Sequence, residues 1–253
     1  MMRRLRETWF VAAFLLTACT TEPAVRMDAY VGQAPEGTGI LSEELIKRSG
    51  APLEAGLLVV NDTSDRDSAP ALTEAGTAFL TDQVKQRVQE GLPIRVIKEL
   101  PPSHVAKGHR PPEVAQLARE QGLSYVLLAV FSNAESEVPM RLPLSGDPEQ
   151  GGGRPAVQGF EMRTNALAEL ALIEAGTGRV LVRSAGRAWI RLNRLYVPVQ
   201  SNSYPVIHRS LRVAPIYPKE ENAKDITRSI AGDEALEQAV MHLQEIWPRP
   251  ARS

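Results

Sequence analysis

Cysteine is almost absent from this chain: one residue, Cys19, in 253. A single thiol excludes an intrachain disulfide, so the fold must rest on packing, and it excludes a zinc site built from several cysteines. Aromatic residues make up only 5%, and the formal net charge is -1. With no excess of Lys and Arg, nothing global points to nucleic acid as a partner. Long apolar runs are missing beyond the N-terminus, where Trp9 to Leu16 supplies eight residues. A permanent membrane helix needs about 20. Catalytic signatures are missing as well. There is no Gly-x-Ser-x-Gly elbow, no His pair at i, i+4 spacing, and Gly176-Thr177-Gly178 lacks the Lys-Ser/Thr ending of a phosphate loop. The expectation is a chain that is not an enzyme and that holds no metal or dissociable cofactor.

What is present begins at the first residues. Met1-Met2-Arg3-Arg4-Leu5-Arg6 is a charged start, followed by the short apolar stretch and then Leu16-Thr17-Ala18-Cys19. That tetrad resembles the bacterial lipobox. The resemblance implies removal of a leader, residues 1–18, by cleavage between Ala18 and Cys19. It also implies diacylglycerol on the Cys19 sulfur and an acyl group on the new amine. Several acyl chains give durable anchoring where one gives only marginal binding. Cleavage removes three arginines and one glutamate, which takes the net charge from -1 to about -3. In this family the residue after the cysteine influences sorting. Thr20 is not the aspartate tied to inner-membrane retention, so the expected place is the periplasmic face of the outer membrane.

Residues 19–54, with Pro23, Gly32, Pro35, Gly37, Gly39, Gly50 and Pro52, read as a flexible, lipid-anchored tether, with a short helix over Ser42 to Lys47. A single domain over 55–247 follows, and 248–253 is a tail. Gly56 to Val60 is a continuous apolar run, as for a strand buried on both faces. Pro70 to Glu90 predicts a helix with Leu72, Ala75, Phe79, Leu80, Val84 and Val88 on its inner side, stopped by Gly91. Pro93 to Leu100 is a second strand, Pro112 to Gln121 a second helix ending at Gly122, and Leu123 to Phe131 a third strand. Residues 133–160, rich in Pro, Gly and acid, read as a mobile loop. Asn165 to Glu174 and Arg179 to Leu192 form a hairpin about Ala175-Gly176-Thr177-Gly178. The proline-rich stretch from Tyr196 to Lys219 reads as extended chain over the domain, and Asp233 to Trp247 as a closing amphipathic helix.

The order β-α-β-α-β-β-β-α and the hairpin A-x-L-A-L-I-E-A-G-T-G-R-V-L (Ala168 to Leu181) resemble the periplasmic α/β domains of the curli-channel lipoprotein CsgG, the penicillin-binding-protein activator LpoB and the N-terminal domain of TolB. The hairpin and last helix also resemble the rhombotarget lipoproteins, without their C-terminal membrane segment. The implied fold is α/β (α+β), a mixed sheet in two or three layers, and the implied work is binding, scaffolding or assembly in the envelope. The alternatives are a ring-forming subunit of a secretion or transport apparatus, hence a homo-oligomer, and an envelope hydrolase. A CsgG-type pore hairpin is not expected, since residues 133–160 offer no alternating apolar strand.

One local feature points to a docking surface. Along the second hairpin arm, Val180, Val182, Ser184, Ala188, Ile190 and Leu192 share one face. Arg179, Arg183, Arg187 and Arg191 share the other with Leu181, Ala185 and Trp189. Guanidinium forks bind carboxylates and phosphates in pairs, so this stripe is the candidate site for an acidic protein or polymer, with Tyr196, Tyr204 and Tyr217 as neighbouring anchors. The competing reading is a solvated face linked to Glu169, which the hairpin register is expected to place beside the arginines. The acidic turn Asp62, Asp65, Asp67 and the histidines His104, His109, His208 and His242 read as surface groups.

Overall fold

The apolar run Gly56 to Val60 has no polar side to offer solvent, and it occupies the inside of a sheet covered on both faces. The computed structural model describes residues 22–32, 52–101, 111–143, 156–196, 203–210 and 213–247. The leader, Cys19, the remaining tether positions, His104, His109, residues 144–155 and the tail lie outside them. In chain order the elements are α1 (Met27–Val31), β1 (Leu53–Asp62), α2 (Glu74–Gly91), β2 (Ile94–Leu100), α3 (Pro111–Glu120), β3 (Tyr125–Pro143), β4 (Ala156–Glu174), β5 (Val180–Leu195), β6 (Val206–His208) and α4 (Ala223–Ile246). The strands form one mixed sheet in the order β2-β1-β3-β4-β5-β6. β1 runs parallel to β2 and β3, and the remaining pairs are antiparallel.

Alternation along the strands divides the core in two. Leu57, Val59, Leu127, Ala129, Phe131, Leu170, Leu172 and Ile190 point to the first face, under Leu80, Val84 and Val88 of α2 and Leu236, Ala239 and Leu243 of α4. Leu58, Val60, Val126, Leu128, Val130 and Ile173 point to the second, under Val114, Leu117 and Ala118 of α3 and Met27 and Tyr30 of α1. The fold is therefore a three-layer α/β domain. α4 lies tight on β5 because Gly186 has no side chain: a Cβ there would overlap the Ala235 carbonyl oxygen and the Ala239 amide.

Several sequence expectations are corrected. Of residues 133–160, those described, 133–143 and 156–160, are strand: β3 and β4 are 19-residue arms paired from Tyr125–Glu174 out to Pro143–Ala156. Charge and proline concealed this, since Glu135 pairs with Arg228 and Glu137 with Lys224. Pro139 is tolerated because beyond Ala134, where Ser68 makes an isolated bridge, no described strand flanks β3 on its β1 side. The tether is not free throughout, as residues 22–32 are built into the second layer and β1 already starts at Leu53. Phe79 is 38% exposed, and Gly76 faces inward in its stead. Helix α4 begins ten residues before the expected Asp233. Its first half buries polar groups, with Arg228 bidentate on Glu135 at 2.7 and 3.1 Å and Asp233 taking two bonds from Arg87 at 2.9 and 3.0 Å. Such a face has no apolar period to detect. β6 adds a sixth strand from within the proline-rich stretch.

Gly186→Ala should lower stability by about 1–3 kcal/mol, the range for forcing extra volume into a packed site, read as a fall in the urea midpoint with the slope unchanged.

Candidate functional site: the arginine face of the sheet

On the second face of β5, Arg183, Ala185, Arg187, Trp189 and Arg191 follow one another at period two. β4 sets Ala171, Glu169, Leu167, Asn165 and Arg163 directly opposite them in that order. Glu169 thus stands on the arginine side, as the apolar match of Leu172 with Val182 requires. A register shift between Leu172 and Ile173 breaks the period at the turn. Val180 consequently joins the second core with Ile173 instead of sharing a face with Val182, and Leu181 joins the first core. Arg179 precedes the strand and does not belong to the stripe.

Much of the stripe is already engaged, and by the chain itself. The segment Glu22 to Gly32 lies across it. Arg183 donates to Asp28 Oδ1 at 2.8 Å, and Arg187 donates to Glu22 Oε2 and to the Pro23 carbonyl, each at 3.3 Å. Glu169, 2% exposed, accepts the Arg26 and Met27 amides at 2.7 and 3.1 Å. These are among the first N–H groups of α1, which have no partner inside a helix. Arg26 pairs with Asp65 at 2.6 Å. Tyr30 donates its hydroxyl to Asp62 Oδ2 at 2.8 Å, and the Ser64 amide and hydroxyl donate to Asp62 Oδ1 at 2.7 and 2.5 Å. Asp67 is exposed and the Asp65 side chain partly so, as read from the sequence, but Asp62 is not a solvated surface group: it is buried and holds α1. Sequence reasoning missed this segment. Its only signal was Met27 and Tyr30 spaced three apart within a stretch otherwise marked by Pro and Gly.

Further along β5 the arginines have fewer carboxylates. Arg163 and Arg191 are directly opposed across the strands, an unfavourable placement for like charges. Their guanidinium carbons lie 4.7 and 5.5 Å from the centre of the Trp189 ring, and Arg191 reaches Glu161 only at 3.8 Å. The face of an indole attracts cations, which offsets part of the repulsion. Arg163 was not anticipated from the sequence, because it lies between the loop read at 133–160 and the hairpin arm read from Asn165. The tyrosines do not join this group. Tyr196 packs on Phe160, a residue of the first core, with ring centres 5.7 Å apart. Tyr204 is half-buried and Tyr217 is 56% exposed.

The buried acids differ in their electrostatics. Burial pushes the Glu169 carboxyl above its ordinary 4.5, and the two amides and Arg183 offset only part of that. Burial also works to raise Asp62, yet the hydrogen bonds from Ser64 and Tyr30 outweigh it and hold this carboxyl below its ordinary 3.8. Burial, followed by the Asp62 carboxylate, drives the Tyr30 hydroxyl well above the usual phenol range.

No protein-family model and no curated protein matches the chain. Solved structures do. One is the PelC dodecamer from Paraburkholderia phytofirmans, 15% identical, covering 77% of this chain and 88% of that one with a TM-score of 0.34. Another is the C-terminal domain of LpoB from Salmonella enterica, 17% identical over 59% of this chain and 93% of that one, TM-score 0.26. A third is the hypothetical protein CT253 from Chlamydia trachomatis, 11% identical, 78% and 98% covered, TM-score 0.37. At such scores nothing about function is carried across.

Two outcomes test the clamp. Glu169→Ala leaves two amides without an acceptor, a loss of about 1–3 kcal/mol for a buried group. Hydrogen exchange at Arg26 and Met27 should therefore accelerate while β1 and β3 keep their protection. In the parent protein the raised Glu169 pKa contributes stability that is full below pH 4.5 and is lost as pH rises through the folded-state value. In Glu169→Gln, denaturant midpoints measured from about pH 4.5 towards neutrality should lack that decline.

Proposed function

We propose that this is a lipoprotein held on the periplasmic side of the outer membrane by acyl chains on Cys19, and that it acts as a binding, scaffold or assembly factor, not as an enzyme. The supporting observation is the join between anchor motif and domain. Leu16-Thr17-Ala18-Cys19 closes an apolar run behind a basic start, and three residues later, at Glu22, the chain is already bonded to the sheet at Arg187. Among the described residues no helix is long and apolar enough to cross a membrane. The anchor in this reading is therefore covalent lipid, and no other cofactor is called for. The partner is a protein of the periplasm or outer membrane.

A second reading, a subunit of a ring, is favoured by one feature. From Glu135 to Pro143 β3 pairs with β4 alone among the described strands, and an open edge is a template for strand addition. Mass photometry of the detergent-extracted protein should then find a closed oligomer, and a monomer at every concentration counts against it.

For the leading reading, the parent protein should need detergent for extraction, whereas Cys19→Ala should stay in the aqueous fraction or keep its leader. Equal partitioning of the two, with the leader removed from the variant, overturns the proposal.

A further inference from the structure

The clamp sets how far the domain can stand from its anchor. Pro23 is buried and its carbonyl accepts from Arg187, which also pairs with Glu22, and Cys19 lies three residues before Glu22. At roughly 3.6 Å per residue, fully extended, that linkage spans at most about 11 Å. Lipid on Cys19, the reading on which this inference rests, would thus be carried beside the arginine face and not at the end of a long tether.

The direction of the segment narrows this further. Asp28 bonds to Arg183 and Glu22 to Arg187, so moving towards the N-terminus of the segment is moving forward along β5. Continuing the same way leads to Trp189 and Arg191, the latter four residues beyond Arg187, or roughly 13 Å at about 3.3 Å per residue. At that end stand Arg163, Trp189 and Arg191, with Trp189 36% exposed, Arg191 44% exposed and the buried Nε of Arg163 without a hydrogen-bond partner. Tryptophan is enriched at headgroup depth, where one side of the ring is apolar and the other wet. Arginine presents paired donors to phosphate. Of the two guanidinium groups opposed across β4 and β5, Arg191 reaches a carboxylate, Glu161, only at 3.8 Å, and Arg163 makes no ion pair among the described residues, so the pair holds an excess of positive charge.

We propose that the Arg163–Trp189–Arg191 cluster rests on the phospholipid headgroups of the membrane that holds Cys19, so that the β4–β5 end of the second face is turned to the bilayer. The first face, under α2 and α4, and the open edge of β3 are then left to partners.

The test uses the full-length lipidated protein carrying Trp247→Phe. It is reconstituted in vesicles of phosphatidylethanolamine and phosphatidylglycerol that contain lipid spin-labelled near the headgroup. Leader removal takes Trp9 away, so Trp189 is the remaining tryptophan. Its emission should shift to the blue relative to detergent solution and be quenched by the labelled lipid. Arg163→Gln with Arg191→Gln should weaken that quenching several-fold while flotation with the vesicles and circular dichroism are unchanged. Unquenched Trp189 in protein that floats overturns the orientation and leaves the anchor standing, and so does unaltered quenching in the double variant. Failure to float, with a mass showing no diacylglycerol on Cys19, overturns both.

Discussion

A buried carboxylate, Glu169, is the group on which the organisation of the second face turns. It lies within the sheet, 2% exposed, and accepts the two amides that begin α1. A carboxylate so placed is costly to desolvate unless donors meet it, and the donors here are main-chain groups from a segment more than 140 positions earlier in the chain. Met27 and Tyr30 then bury in the same cluster as Val60 and Val130, and Asp62 closes the arrangement through Tyr30. Apolar burial supplies the gain; the carboxylates supply the address.

This changes what the arginine stripe is. Arg183 and Arg187 are occupied by Asp28, Glu22 and Pro23, so they hold the segment that carries α1. The electropositive remainder is shifted along β5 to Arg191 and across to Arg163, with Trp189 between them. A surface that looked like four equivalent arginines is two internal braces, one residue outside the strand, and one that joins a partner from the neighbouring strand.

The opposite side of the sheet is built on a different principle. α4 approaches β5 closely over Gly186, while its polar half is tied down by Arg228 to Glu135, Arg87 to Asp233, and Arg209 to Glu234 at 2.7 Å. Each removes charge from water with a partner already in place, which keeps the cost of burying α4's polar half low. Of these pairs Arg228 to Glu135, joined by Lys224 to Glu137, fastens the outer half of the β3–β4 hairpin, and so an arm carrying those two glutamates can remain a strand.

The sequence by itself determined the central strands and their helices. Runs such as Leu57 to Val60 and Val126 to Phe131 can hide from water only between two layers, and the hairpin about Gly176-Thr177-Gly178 is local in the chain. It also placed Glu169 beside the arginines, because matching Leu172 with Val182 leaves that carboxylate no other side. Tertiary structure alone decided the rest. That residues 133–143 and 156–164 are strand depends on Arg228 and Lys224 arriving from α4. That Glu22 to Gly32 is cover and not tether depends on acceptors at Glu169 and Asp62. Burial of polar residues in matched pairs carries no periodic apolar signal, and a pair separated by a hundred residues leaves no trace in either neighbourhood until the sheet brings the two together.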